Sequence, residues 1–410
     1  MSPLVIIFLT VFIDLLGFGI IIPLLPFYAE RFGGNAATVG MLSVSFSLMQ
    51  FVFMPIWGRL SDRVGRRPIL LLGLFGSFGS YLIFGLAGSL PLLFISRAFA
   101  GIAGATVSTA QAYIADTTAP ENRAKGMGLV GAAFGLGFIF GPAIGGFLSR
   151  WGHATPPLFA AALSLLNFAA AWFVLPESRP AHVPVTARRS GSRVAALRKA
   201  LTRPAMPVLL LVYFLVVAAF SGFETTFALF SERRHGFTEE TIGYLFAYMG
   251  VVLALIQGGL VGRVVRRVSE QRLVPFAILA LAAGLALIPA AASVAGLCVA
   301  IGVLAIGMGF NSPSLVSLIS QQTDPDDQGG ILGVSQSLAS LGRIVGPAGA
   351  GVLFDRLGPS APYVSSAAIM LIAAVVAAGG LRGASPAPQP ALGSGREPEA
   401  FSAPGGPPCP

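Results

Sequence analysis

The stretch Gly58-Arg59-Leu60-Ser61-Asp62-Arg63-Val64-Gly65-Arg66-Arg67-Pro68 is a short charged island between two long apolar runs. Five of its eleven residues are charged, whereas the whole chain is 55% hydrophobic and only 10% charged. A charge inside a bilayer is costly, so a segment this polar belongs at the membrane surface. The apolar runs on either side are therefore predicted to cross the membrane, with the island as a loop between them.

Apolar runs of this kind recur along the chain, whose mean hydropathy is +0.80. A bilayer core is spanned by about 20 residues of α-helix, and the backbone must satisfy its own hydrogen bonds in lipid. Strand-like alternation is absent from the runs, which argues against a membrane barrel. We expect an all-α integral membrane protein with twelve transmembrane spans, at residues 4–28, 38–58, 69–88, 91–115, 125–149, 156–176, 206–231, 240–262, 273–292, 295–321, 329–354 and 360–381.

The only long polar stretch inside the chain, 177–205, divides these spans into six and six. We expect an N-terminal six-helix bundle over 1–176, a cytoplasmic central loop over 177–205 and a C-terminal bundle over 206–381. The tail over 382–410 is rich in Pro, Gly, Ala and Ser and is predicted to be disordered and cytoplasmic. Lys and Arg are concentrated in loops on one face, 19 against 5 on the other. This bias predicts both termini in the cytoplasm of a multi-pass inner (plasma) membrane protein.

The two halves also repeat each other in sequence. At a fixed offset, several glycines and prolines of the first half meet the same residue types in the second half. Chance is one explanation in a glycine-rich chain, but two aligned Gly-Pro pairs favour a parallel repeat of six helices. The matching residues are Gly104, Pro120, Gly128, Gly137, Gly141-Pro142 and Gly146 with Gly309, Pro325, Gly333, Gly342, Gly346-Pro347 and Gly351.

Other function classes find little support. The net charge of +9 is spread over loops and forms no soluble basic face, so no nucleic-acid partner is expected. The two cysteines, Cys298 and Cys409, give neither a disulfide framework nor metal-ligand spacing. The Gly126–Gly131 match to G-x-G-x-x-G follows no strand, and no Walker A lysine motif is present. We expect no cofactor, no metal and no enzymatic activity, because no nucleophile–base pair is apparent.

Asp14, Arg97 and Glu224 are ionisable residues inside the apolar spans. A charge at the centre of a membrane helix costs about 3 kcal/mol, so such residues usually serve transport. We predict that the three couple protons to transport and that Arg97 tunes Asp14. The alternatives are a structural hydrogen bond for Asp14, an arginine reaching the outer interface for Arg97, and a position near the outer surface beside Glu232 for Glu224. Aromatic neighbours of Glu224 would suit a cationic ligand.

Further polar residues lie within spans and are candidates for the lining of a substrate cavity. Each has an alternative as an interhelical hydrogen-bonding group. Arg343 has a further alternative, since it would also balance a carboxylate on another helix. The cavity candidates are Gln50, Gln111, Gln257, Asn311, Gln336 and Arg343.

The fifth span contains a small-residue motif that ends in Gly-Pro-x-x-Gly-Gly. Its members are Gly137, Gly141, Pro142, Gly145 and Gly146. Small residues let helix backbones approach closely, and a proline can bend the helix. The alternative is generic glycine packing.

These motifs together resemble the major facilitator superfamily, over about residues 4–381. The resemblance is to its twelve-helix drug:proton antiporters, and especially to the tetracycline exporters. Asp14-Leu-Leu-Gly-Phe-Gly with Pro23-Leu-Leu-Pro26 is similar to that branch, as is Ala115-Asp116-Thr117 before Glu121-Asn122-Arg123. The resemblance implies a fold of two pseudo-symmetric six-helix halves. It links the arginine of helix 4 to proton transfer.

The same resemblance gives the charged island a mechanical role. It implies a latch between the halves that stabilises the outward-facing form, built from Gly58, Asp62, Arg63, Gly65, Arg66 and Arg67. Asp116 is on the same side and is a candidate partner of Arg63 or Arg66. The alternative is plain anchoring of positive charge at the inner surface. The helix 5 motif resembles that of antiporters and implies export.

The resemblance has departures that bear on the substrate. Tetracycline exporters carry further buried acids on helices 3 and 9, but this chain has Gly79-Ser80-Tyr81 in its third span and no acid in its ninth. We predict a monomeric exporter, working by alternating access in the lipid bilayer, that exchanges protons for hydrophobic or amphipathic small molecules such as drugs. This predicts drug efflux and antibiotic resistance. The alternatives are an importer or facilitator of a small metabolite, and a non-transporting receptor or scaffold.

Overall fold

Twelve long apolar helices, α1 to α12, make up the computed structural model, which describes residues 3–104, 106–118, 123–178, 205–323 and 328–381. The predicted all-α membrane fold is confirmed, and the described residues contain no β-strand. Most of the predicted central loop, the predicted tail, Pro120, Glu121, Asn122 and Pro325 lie outside the described residues. The helices are α1 Leu4–Arg31, α2 Ala36–Val64, α3 Arg66–Gly85, α4 Leu90–Thr117, α5 Gly126–Trp151, α6 Thr155–Val174, α7 Met206–His235, α8 Glu239–Val265, α9 Glu270–Ala290, α10 Val294–Gln321, α11 Gly333–Leu357 and α12 Ala361–Gly380.

The two sets of six helices pack in the same way. In the first half α1 packs on α5 and α6, α2 on α4, and α3 on α4 and α6. In the second half the corresponding pairs are α7 with α11 and α12, α8 with α10, and α9 with α10 and α12. Across the halves, α2 packs on α11 and α5 packs on α8, which again are corresponding pairs. The internal repeat seen in the sequence is therefore a repeat of packing.

Glycines set the closest approaches between the halves. A Cβ on Gly40 of α2 would lie 2.4 Å from the carbonyl oxygen of Pro347, and a Cβ on Gly243 of α8 would lie 2.5 Å from that of Pro142. Pro142 and Pro347 are matched by the sequence repeat. The two contacts are thus the same contact made twice, and only glycine leaves room for it.

Polar contacts join the halves at this same end of the bundle, which we call the closed end. The Asp355 carboxylate accepts hydrogen bonds from the first backbone N–H groups of α2, and two Arg–Glu ion pairs and a His–Glu hydrogen bond link the halves beside it. The contacts are Asp355 with the N–H groups of Ala36 at 3.2 Å and Ala37 at 2.8 Å, Arg233 with Glu30 at 2.8 Å, His153 with Glu239 at 2.6 Å, and Arg150 with Glu240.

The opposite end carries the charged island. Four glycines at that end would have no atom within 4 Å of an added Cβ, namely Gly58, Gly128, Gly262 and Gly333. Among the described residues, the polar side-chain contacts between the halves all lie at the closed end.

The charged island is more helical than the sequence suggested. Helix α2 continues through it to Val64, and α3 starts at Arg66, so the turn is the single residue Gly65. Gly65 has φ +101°, a conformation that favours glycine. Gly58 lies inside α2 and makes no turn, and the ion pair between Asp62 and Arg66 at 2.7 Å joins the last turn of α2 to the first residue of α3 across Gly65.

Helix α4 is interrupted after Ala103, six residues beyond Arg97. Its first part ends at Ala103 and its second part starts at Thr106. The break removes the usual acceptor role of the Ile102 carbonyl, and the indole N–H of Trp57 donates to that oxygen at 2.5 Å. Arg97 and Gln111 therefore lie on different parts of α4.

Candidate functional site

A cavity with about 100 Å³ of accessible space lies between the halves, beneath the closed end. Both halves contribute to its wall, which is apolar apart from hydroxyl groups, two arginines and one carboxylate. The lining residues are Phe18, Ile21, Ile22, Leu25 and Pro26 of α1, Val39, Ser43, Phe46 and Ser47 of α2, Arg97 of α4, Ser221, Glu224 and Thr225 of α7, and Arg343 and Pro347 of α11.

Glu224 faces this cavity from the second half. This placement removes the alternative of a surface position beside Glu232, since α7 continues to His235. Its neighbours Phe223 and Phe227 point away and are buried against Phe246, so they do not form an aromatic box around the carboxylate. The sequence argument for a cationic ligand at Glu224 loses that support.

Arg343 lies on the same side of the cavity, on α11. One of its Nη atoms donates to the Ser340 hydroxyl at 3.3 Å. Glu224 is near enough for the two charges to interact, but no ion pair forms between them. A buried cation near a carboxylate, each with unused hydrogen-bonding capacity, is available to a ligand.

Arg97 enters the cavity from the first half and is only 4% exposed, so it does not reach the outer interface. Its Nη2 is 3.5 Å from the Ser96 hydroxyl, its guanidinium lies 4.9 Å from the Phe84 ring centre, and its Nε has no partner. Among the described residues, no carboxylate lies within salt-bridge distance of Arg97. Tyr81 stands close to both Arg97 and Asp14.

Asp14 lies one helical turn before the cavity residue Phe18. Its carboxylate accepts a hydrogen bond from Ser77 of α3 at 2.8 Å, and Thr106 stands beside it at the break in α4. Direct contact between Asp14 and Arg97 is absent from this part of the structure. The prediction that the two act together stays a prediction, with Tyr81 as the group between them.

The remaining predicted cavity residues lie elsewhere. Of the six candidates only Arg343 lines the cavity. Gln111, Gln257 and Gln336 are exposed, Gln50 lies against Gly104, and Asn311 is buried. Asn311 also lacks the expected interhelical bond, as neither polar atom of its side chain has a partner. These candidates were predicted from their polarity. Polarity and helical spacing do not indicate which face of a helix lines the space between the halves.

Arg66 is the centre of the charged island. It is paired with Asp62 at 2.7 Å and with Asp116 at 2.9 Å, and it donates to the Ser61 hydroxyl at 2.6 Å. Asp116 pairs with Arg66, one of its two predicted partners, whereas the other, Arg63, is exposed. All these contacts are within the first half. These contacts of Arg66 hold the island against its own half.

The helix 5 motif lies at two interfaces. Gly137, Gly141 and Gly145 are packed on the backbone of α1, whereas Gly146 is packed on the start of α8 at Glu239 and Glu240. The motif therefore joins a contact inside the first half to the contact between the halves.

Known sequences and structures agree with this architecture. The sequence model described as Major Facilitator Superfamily matches residues 7–295 and 260–405. The chain belongs to the major facilitator superfamily. It is 31% identical over 369 residues to multidrug resistance protein 2 of Bacillus subtilis, covering 88% of this chain and 91% of that one. It is 35% identical over 342 residues to the class E tetracycline resistance protein of Escherichia coli, covering 82% and 84%.

A solved structure extends the comparison to animals. The crystal structure of the human organic anion transporter MFSD10 (TETRAN) matches with a TM-score of 0.69 and 27% identity, covering 92% of this chain and 100% of that one. The predicted relationship to drug and tetracycline exporters is confirmed. This superfamily member is a multi-pass membrane transporter with resistance proteins among its relatives.

Two structural contacts near the ends of α3 and α9 have no counterpart among the predictions from the sequence. Glu177 accepts from the backbone N–H groups of Arg66 and Arg67 at 2.9 and 3.1 Å and so caps α3 from 111 residues away. Glu270 opens α9, before the predicted start of the ninth span, and accepts from Ser317 and Gln321. Neither contact has a local sequence signal.

Proposed function

We propose that this protein is a proton-coupled exporter of hydrophobic or amphipathic small molecules, placed in the plasma membrane with both termini in the cytoplasm. One observation carries the proposal. A cavity between two pseudo-symmetric halves has a largely apolar wall that also holds the ionisable residue Glu224.

The mechanism requires some contacts between the two halves to break and others to form. With the proposed orientation, the closed end is extracellular and the cavity is reached from the cytoplasm. Transport then needs the α2–α11 and α5–α8 contacts to part while the charged island approaches the second half. Rigid-body rocking of two repeats about a central site is how such folds alternate access. The glycine contacts between the halves suit this rocking motion, because they are backbone contacts without interlocking side chains.

Proton coupling is assigned to the carboxylates that face away from lipid. Glu224 faces the cavity. Asp14 lies one helical turn before the cavity residue Phe18 and accepts a hydrogen bond from Ser77. A proton that binds to these carboxylates from one side of the membrane and is released to the other would link the proton gradient to substrate movement. Export is supported by the helix 5 motif and by the resistance proteins among the relatives.

Inverted membrane vesicles with a pH-sensitive dye test this proposal. We expect addition of a transported drug to release protons from acidified vesicles that contain the wild-type protein. Asp14→Asn and Glu224→Gln should abolish the response, while Glu270→Gln, a carboxylate remote from the cavity, should keep it. A response that is equal in all four proteins would overturn the assignment. Substrate movement without any proton movement would favour the facilitator instead.

A further inference from the structure

The cavity wall carries more positive than negative charge. Its charged residues are Arg97, Arg343 and Glu224, and its other polar groups are the hydroxyls of serines and a threonine. With Glu224 ionised the wall has a net charge of about +1, and with Glu224 protonated it has about +2. Arginine stays charged in either case.

The two arginines are also poorly satisfied. Arg97 is 4% exposed and its Nε atom has no partner, although a guanidinium has five N–H donors. Its one hydrogen bond to a side chain, from Nη2 to Ser96, is long at 3.5 Å. Arg343 donates to a single serine hydroxyl. Burying an unpaired charge is costly, so such groups are expected to meet an anion in some state of the protein.

The two arginines come from different halves. Arg97 belongs to α4 in the first half and Arg343 to α11 in the second, and both line the one cavity. A ligand that binds both therefore bridges the two bodies that move in alternating access. The remaining wall, with Phe18, Phe46 and Ile21, offers an apolar surface to the rest of such a ligand.

We propose that the cavity binds an amphipathic organic anion, with its carboxylate or sulfonate between Arg97 and Arg343 and its apolar body against α1 and α2. The inference rests on the proposed transport function and names its substrate class. Planar arginine forks favour carboxylates and similar oxyanions. Glu224 is then the competing carboxylate beside Arg343.

Binding to the purified full-length chain in detergent tests the inference without any transport step. The probes are three naphthyl compounds of similar size: 2-naphthaleneacetate, its neutral amide and the cationic 2-(2-naphthyl)ethylamine. We expect calorimetry to give at least about tenfold tighter binding for the anion than for the amide, as a charge-assisted contact predicts. The amine should bind weakest.

Variants then assign the preference to residues. Arg343→Gln and Arg97→Gln should each reduce the anion-to-amide ratio by about tenfold, and Arg343→Lys should restore part of it. Glu224→Gln should tighten anion binding several-fold, because the competing charge is removed. The control is Arg272→Gln, which removes an equally charged but exposed arginine at the start of α9 and should leave the ratio unchanged.

Two results would overturn the inference. The first is wild-type binding of the amide or the amine as tight as that of the anion. The second is an anion preference that survives in both Arg→Gln variants while those variants keep their thermal unfolding midpoint. Failure here is separable from failure of proton coupling. Proton-linked export of cations alone would refute the anion site only, and anion binding without a vesicle response would refute coupling only.

Discussion

The sharpest structural prediction concerns Gly40 at the closed end. A Cβ there would lie 2.4 Å from the carbonyl oxygen of Pro347. Ordinary carbon–oxygen contacts are about 3.3 to 3.6 Å, so Gly40→Ala requires α2 and α11 to separate by about 1 Å. Backbone on both sides leaves no flexible side chain to yield. Overpacking of this kind costs about 1–3 kcal/mol, and the cost falls only on the conformation in which the closed end is closed.

That selective cost shifts the conformational equilibrium. A difference of 1–3 kcal/mol changes the ratio of the two states by roughly 5- to 150-fold in favour of an opened closed end. Gly243→Ala creates the matching 2.5 Å approach to the Pro142 carbonyl at the pseudo-symmetric contact. We expect it to have a similar effect, and the double variant to exceed either single one.

Spin-label distances across the closed end measure this shift. Ala154→Cys in the first half and Ser360→Cys in the second place labels on exposed loop residues, in a background with Cys298→Ser and Cys409→Ser. We expect Gly40→Ala to increase a longer-distance component. The control is Gly128→Ala, where an added Cβ meets no atom within 4 Å.

The reasoning is refuted by either of two outcomes. An unchanged distance distribution in Gly40→Ala would show that the closed end tolerates the added methyl without opening. An equal shift in Gly128→Ala would show that any loss of glycine, and not this contact, moves the equilibrium.

Three further predictions concern stability, read as unfolding midpoints in detergent. Trp57→Phe removes the donor to the Ile102 carbonyl and should cost about 1 kcal/mol; an unchanged midpoint would mean that another donor serves the break in α4. Gly65→Ala should cost about 1–3 kcal/mol because of its φ of +101° and the adjacent Glu177 carboxylate, and a stabilised variant would contradict this. Arg66→Met should cost about 1–3 kcal/mol because it removes the charged donor that Asp62 and Asp116 share, which a gain in stability would disprove.

Much of the fold was predictable because each membrane helix corresponds to a continuous run of apolar residues in the sequence. Hydropathy placed all twelve spans, and the Gly-Pro repeat anticipated the pseudo-symmetric contacts at Pro142 and Pro347. The errors lie at ends and interruptions. Hydropathy ended α2 at the first charge of the island, while the helix continues through the charged residues to Val64 and ends at Gly65.

The site was predictable only in part. Charge inside an apolar run identified Asp14, Arg97 and Glu224, and the structure places two of them in one cavity wall. Which residues meet across the halves depends on tertiary packing, which has no local signal. Tertiary packing decides whether Arg97 contacts Asp14 and whether the glutamines line the cavity. Neither point could therefore be predicted from the sequence.

The most direct test of the central claim uses purified protein in proteoliposomes with no imposed pH gradient. An outward gradient of a transported compound alone should drive protons in the opposite direction across the membrane, because an antiporter must exchange one for the other. Asp14→Asn and Glu224→Gln should remove this proton flux. Substrate efflux at the wild-type rate with no counterflow of protons would contradict the account.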